Sequence, residues 1–215
     1  MRLTVFGATG GIGGPFVRQA LDAGHEVTAV VRGDPAALID EMRERAGRFI
    51  AVRADVMDPV GVEPHISGRD AVVSVLGSPG RGPSTVRVEG ARSVTAAMGK
   101  ADVRRLVIVS TSAAFTEVKD DPFARLVVKP LVRRILKHPF ADARGMERVV
   151  RESDLDWTIV RSPRLTGGGL TRDYRMGVDG GLRGAYRISR ADLADCLIGI
   201  IDDPDFHRAT VSPGY

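Results

Sequence analysis

The chain has 215 residues, 43% hydrophobic and 27% charged, with a formal net charge of +4, a size that supports one buried core and a single domain over residues 1–215. Acidic residues are mixed among the basic ones and aromatics make up only 5%, which argues against a nucleic-acid-binding surface. No run of about 18 apolar residues predicts a membrane span, and no leader is read ahead of the first strand, so a soluble, cytoplasmic protein is expected.

Residues 3–6 read as an apolar strand that runs straight into Gly7-Ala8-Thr9-Gly10-Gly11-Ile12-Gly13-Gly14 and then into a helix-like segment over 11–23. A strand that stops, reverses tightly and hands over to a helix N-terminus is the arrangement that holds a pyrophosphate on bare main-chain amides. Gly7 serves the tight turn, Gly10 leaves clearance for phosphate, and Gly13 lets the helix pack closely. The spacing is G-x-x-G-x-x-G. Thr9, Gly11 and Ile12 belong to the same cofactor-binding turn.

Strands are expected at residues 26–31, 49–52, 71–76, 105–109 and 157–160, with helices at 35–46, 85–100 and a long region ending at Glu152. Near-continuous apolar strands alternating with helices predict a doubly wound, mostly parallel α/β sheet, a Rossmann fold with small C-terminal substrate-side elements. Arg32 follows the second strand, where an arginine accommodates the 2′-phosphate of NADP, so NADP(H) is favoured over NAD(H). After the third strand, Asp58 before Pro59 is read as a helix cap and Asp55 as the cofactor contact. Gly77-Ser78, after the fourth strand, is placed beside the ribose and pyrophosphate.

Arg125, Lys129, Arg133 and Lys137 recur every four residues beside apolar ones. The stripe, interrupted by Pro130, is read as a solvated face over an apolar wall and as a substrate flap. The three glycines 167–169 suit a lid hinge, with Tyr174-Arg175 closing over the cofactor. His138 is read as a loop residue before Pro139, Ser189 as a helix cap, and Cys196 as core filler. The four histidines are dispersed, so no metal site is expected.

Taken together, Gly7-Ala8-Thr9-Gly10-Gly11-Ile12-Gly13, Asp55-Val56, Ser110-Thr111-Ser112-Ala113, residues 153–163 and Ile188-Ser189-Arg190-Ala191-Asp192-Leu193-Ala194 resemble the short-chain dehydrogenase/reductase superfamily. The resemblance is to its atypical NAD(P)H-binding branch, which includes flavin reductase/biliverdin-IXβ reductase-like and NmrA-like proteins. It implies that Val56, Ser110, Thr111, Ser162 and Pro163 contact the cofactor. It also implies that Ser112 sits near the nicotinamide, where its hydroxyl can donate a hydrogen bond to the acceptor.

The Tyr-x-x-x-Lys pair typical of the superfamily is missing. The only tyrosines are Tyr174, Tyr186 and Tyr215, and the corresponding region reads Phe140-Ala141-Asp142-Ala143-Arg144. Phenylalanine cannot exchange a proton. Surface pairing, with Glu147 near Arg144, explains Asp142, Arg144 and Glu147 adequately, and the lesser reading is that Asp142 or Arg144 orients substrate or relays a proton in place of the missing pair. The expected activity is hydride transfer from NADPH to a small conjugated acceptor such as a flavin or quinone. The alternative is a catalytically silent NADP(H)-binding sensor of the NmrA-like kind.

Overall fold

The structure, a computed structural model, describes residues 1–78, 80, 82–115 and 136–215. In chain order its main elements are β1 (Arg2–Phe6), α1 (Gly13–Asp22), β2 (Glu26–Val31), α2 (Ala36–Glu41), β3 (Phe49–Arg53), α3 (Pro59–Ile66), β4 (Ala71–Ser74), α4 (Val86–Lys100), β5 (Arg105–Thr111), α5 (Lys137–Arg151), β6 (Asp156–Ser162), β7 (Arg164–Thr166), β8 (Arg175–Val178), β9 (Arg187–Ser189), α6 (Arg190–Ile200) and β10 (Ala209–Gly214). The basic stripe read over 125–133 lies outside the described residues, and Lys137 opens α5.

Among the described residues eight strands form one sheet in the order β3-β2-β1-β4-β5-β6-β10-β8, and β7 pairs with β9 in a separate ribbon. Every described pairing is parallel except β10 with β8. This is the doubly wound architecture expected from the strand composition. β4 is fully buried as Ala71-Val72-Val73-Ser74, because helices cover the sheet on both faces. One apolar layer packs Phe16, Leu21, Leu193 and Ile200 of α1 and α6 against the sheet. The other packs Val62, Val94, Met98, Met146 and Val150 of α3, α4 and α5.

Chain direction positions the site. From β1 the chain moves outward to β2 and β3, then returns to place β4 on the other side of β1. That reversal opens a crevice at the carboxyl ends of β1 and β4. The sheet's far end is pinned by Arg105, which donates to the main-chain oxygens of Ile201 and Ile200, both at 2.7 Å, and of Asp156 at 2.8 Å. It thereby satisfies carbonyls at the C-terminus of α6. Burial lowers its pKa to about 10, and it still carries its charge at neutral pH.

Boundaries differ from the expectation where side-chain chemistry intervenes. α1 begins at Gly13, because residues 10–12 are used by the turn. The expected helix over 35–46 breaks into α2 and a 3₁₀ turn over Arg43–Arg48. Asp58 does cap α3, its Oδ1 accepting from Val60 N at 3.0 Å. His138 lies within the first turn of α5 and not in a loop, since Pro139 is compatible with a helix start. Cys196 is 1% exposed in the core, where burial pushes its thiol up to about 12. Among the described residues no helix is long and apolar enough to cross a membrane.

Candidate functional site

The turn after β1 is built from what glycine lacks. Gly7 takes φ +85°, and a Cβ there would lie 2.9 Å from Val75 O. Its carbonyl accepts from Gly10 N at 2.9 Å, closing the turn. At Gly13 an added Cβ would stand 2.1 Å from Gly7 O and 2.6 Å from Ala8 Cα, so any side chain would force the turn open. α1 then starts with no capping side chain and no acidic residue in its first turn. Its positive end is left for an outside anion.

Beside this turn lies a cavity of about 530 Å³, within the roughly 300–1,000 Å³ range of small-molecule sites. Gly7, Thr9 and Gly10 form one wall, residues 30–32 and 54–57 a second, and residues 75–78 with Val86 a third. Phe6, Val30, Val75 and Leu76 make much of it apolar, suited to a flat base. Polar groups are few and specifically placed. Arg32 is exposed at the rim, Asp55 turns one carboxylate oxygen toward Met57 N at 2.9 Å, and Ser78 Oγ is buried without a hydrogen-bond partner. An added Cβ on Gly77 would meet nothing within 4 Å, so the backbone there is open. A bare-backbone cradle, an orphaned hydroxyl and an apolar slot fit the nucleotide half of a dinucleotide.

Gly7, Thr9, Gly10, Arg32, Asp55, Val56 and Gly77 therefore converge on one cavity. Gly11, Ile12 and Gly13 belong to the turn without lining it. Ser110, Thr111, Ser112, Ser162 and Pro163 also lie outside it, further along the same sheet edge. β5 neighbours β4, and Thr111 is in register with Ser162. Ser162 donates to Ser110 O at 3.0 Å, while Ser110 Oγ is buried and unpartnered. Ser112 opens the short 3₁₀ turn Ser112–Ala114 and is partly exposed.

Four expectations are corrected. Asp142 is 4% exposed, and its two oxygens accept from Arg87 N at 3.2 Å and Val88 N at 3.0 Å. It caps α4 from α5, so it is committed to structure and not to proton relay. Arg144 donates to Ala114 O at 3.4 Å, bracing the turn after Ser112. Glu147 does not pair with Arg144. It holds Arg161 through two bonds of 3.0 and 2.7 Å, and Arg161 stacks 3.7 Å from the Phe115 ring centroid. Tyr174, expected to close over the cofactor, is held instead against α6, where its hydroxyl donates to Asp195 at 2.9 Å. Burial first, then Cys196 and Asp195, raises its pKa above the ordinary tyrosine value.

Sequence reasoning read Ser189 only as a helix cap and missed a buried network. Asp192 is fully buried and accepts from Thr171 N at 2.7 Å, Thr171 Oγ1 at 2.8 Å and Arg172 N at 2.8 Å. Ser189 caps α6 by accepting from Asp192 N at 2.9 Å. Tyr215 Oη accepts from Ser189 N at 2.7 Å. These bonds tie the loop after the three glycines to α6. A buried aspartate directly behind a helix-capping serine was the available signal.

A family profile described as NAD(P)H-binding matches residues 7–204. YwnB of Bacillus subtilis (strain 168) is 24% identical over 206 residues, covering 94% of this chain and 92% of that protein. A short-chain dehydrogenase/reductase of Veillonella parvula DSM 2008, solved in complex with NADP, superposes with TM-score 0.78 at 18% identity, over 100% of this chain and 94% of that one. SP1627 of Streptococcus pneumoniae TIGR4, provisionally named an NADH-flavin reductase, gives TM-score 0.76 at 20% identity over 100% and 99%. At these identities the solved structures establish a shared fold.

Proposed function

The chain belongs to the NAD(P)H-binding family, and from that premise we propose that it is an NADPH-dependent reductase acting on a small, flat, conjugated acceptor such as a flavin or quinone. The observation that carries this reading is the cavity in which the bare glycine turn, Arg32 and Asp55 face one another. The turn and the free start of α1 hold the diphosphate, Asp55 the adenine end, Gly77 and Ser78 the ribose, and Arg32 the 2′-phosphate. A reduced nicotinamide, when bound, supplies a hydride.

Further along the edge, Ser110, Thr111, Ser162 and Pro163 border the reacting end, and Ser112 donates a hydrogen bond to the acceptor as charge develops on it. With Phe140 in the position of the usual tyrosine, and Asp142 engaged on α4, no paired proton donor stands there among the described residues. A conjugated acceptor can take its proton from solvent. An alcohol or ketone substrate is poorly served.

The same commitment of Asp142 supports a second reading, an NADP(H)-binding sensor without turnover. NADPH consumption with a panel of flavins, quinones and carbonyl compounds separates the two. The reductase reading expects turnover confined to the conjugated acceptors. Tight NADPH binding with no acceptor reduced would establish the sensor instead.

A further inference from the structure

Arg190, the first residue of α6, lies against the dinucleotide turn. A Cβ built on Gly11 would stand 2.7 Å from its Nε and 3.0 Å from its Cδ. Since a carbon–carbon bond is about 1.5 Å long, this arginine lies within about 4 Å of the Gly11 backbone. Gly11 does not take a positive φ, and α1 begins only two residues later. Neither backbone strain nor helix packing requires glycine there. The missing side chain makes room for Arg190.

That guanidinium stands beside two helix starts. The start of α1 carries no capping side chain and no acidic residue, so its N-terminal end is positive, and Arg190 itself occupies the first position of another helix. Arg190 is partly buried and makes no hydrogen bond or ion pair among the described residues. Asp192 is engaged by Thr171, Arg172 and Ser189. Asp22, which lines the same second cavity as Arg190 and Gly11, stands at the far end of α1, about 14 Å along the helix from Gly13. A partly buried arginine with no partner among the described residues, beside a bare-backbone turn, calls for an anion.

We propose that Arg190 is a cofactor-binding residue, reaching around Gly11 to grip the diphosphate shared by NADPH and NADH. This rests on the dinucleotide reading above and adds to it a contact from the C-terminal part of the chain. A guanidinium binds phosphoryl oxygens in a forked geometry that matches this role. The inference separates two arginines by ligand part: Arg32 reads the 2′-phosphate and Arg190 the diphosphate.

The test titrates the whole chain, wild type and Arg190→Gln, with NADPH, NADH, ADP-ribose and 2′-AMP. Arg190→Gln is expected to weaken the three diphosphate ligands alike, by about tenfold or more, because charge-assisted bonds are lost. Affinity for 2′-AMP, which lacks the diphosphate, stays at the wild-type value. Gly11→Ala provides a second route, since its methyl group displaces the arginine without removing it. It should show the same ligand pattern, with little further loss when combined with Arg190→Gln. ADP-ribose affinity unchanged in both single variants, or an equal loss for 2′-AMP, overturns the role of Arg190 alone. A wild-type chain that binds 2′-AMP but no diphosphate ligand overturns the dinucleotide reading as well.

Discussion

Asp142 and Val88, 54 residues apart in sequence, are joined by a hydrogen bond of 3.0 Å from the Val88 main-chain nitrogen to the aspartate Oδ1. With the second oxygen on Arg87 N, the carboxylate closes the first turn of α4, next to Val86 in the cavity wall. Loss of such a cap costs about 1–2 kcal/mol. Asp142→Ala should therefore lower the thermal midpoint measured by calorimetry while leaving the Kd for NADPH within a few-fold. An unchanged midpoint together with lost turnover would reinstate the proton relay.

Two glycines of the site should differ in their effect on stability and agree in their effect on binding. Gly13→Ala drives a methyl group to 2.1 Å from Gly7 O, and overpacking of this kind costs typically about 1–3 kcal/mol. Gly77→Val meets nothing within 4 Å at its Cβ and projects from the cavity lining. Denaturant unfolding is expected to show a loss for Gly13→Ala only, while cofactor titration shows weakened binding for both. Normal NADPH affinity in Gly77→Val would remove residue 77 from the binding surface.

Ser112→Ala tests the acceptor end. The hydroxyl belongs to a partly exposed turn at the end of β5, away from the nucleotide cavity. Its removal is expected to reduce kcat by about 10- to 100-fold with the NADPH Kd unchanged, in line with loss of one donor to a developing charge. Wild-type kcat in the variant would leave Ser112 a purely structural residue.

Asp192 gives the fold a defined acid sensitivity. Burial works against its ionisation, but the N–H groups of Arg172 and Thr171 and the hydroxyls of Thr171 and Ser189 outweigh it, holding the carboxyl below its ordinary 3.8. A carboxylate with a depressed folded pKa contributes stability above its unfolded pKa and loses that contribution as pH falls through the folded value. Asp192→Asn should cost about 2–4 kcal/mol at neutral pH, since buried partners are left unsatisfied. In urea titrations the difference from wild type should hold from pH 7 to 5 and shrink below about pH 4. A difference that does not change with pH would show that the ionised form is not what the network requires.

Much of the architecture was legible because it depends on local signals. The apolar runs at 71–76 and 105–109, the glycine turn and the Asp58-Pro59 cap each act within a few residues, and Gly7, Thr9, Gly10, Arg32, Asp55, Val56 and Gly77 share one cavity. What was not legible depends on contacts between distant segments. Nothing near Asp142 announces that its partners are Arg87 and Val88, and buried Glu147 of α5 pairs with Arg161 of β6, whose guanidinium stacks on the Phe115 ring. Tyr174 was read as a lid because it follows glycines, whereas packing against Asp195 fixes it. The role of Gly11 becomes visible only when α6 brings Arg190 beside it.

Under the proposed function, the turn after β1 and Arg32 together hold an NADP-type dinucleotide. Calorimetric titration of wild type and Arg32→Ala with NADPH and NADH tests it most directly. One saturable site per chain is expected, tighter for NADPH by about tenfold or more, with that preference abolished in Arg32→Ala while NADH affinity is kept. No saturable binding of either dinucleotide to the wild-type chain would contradict it.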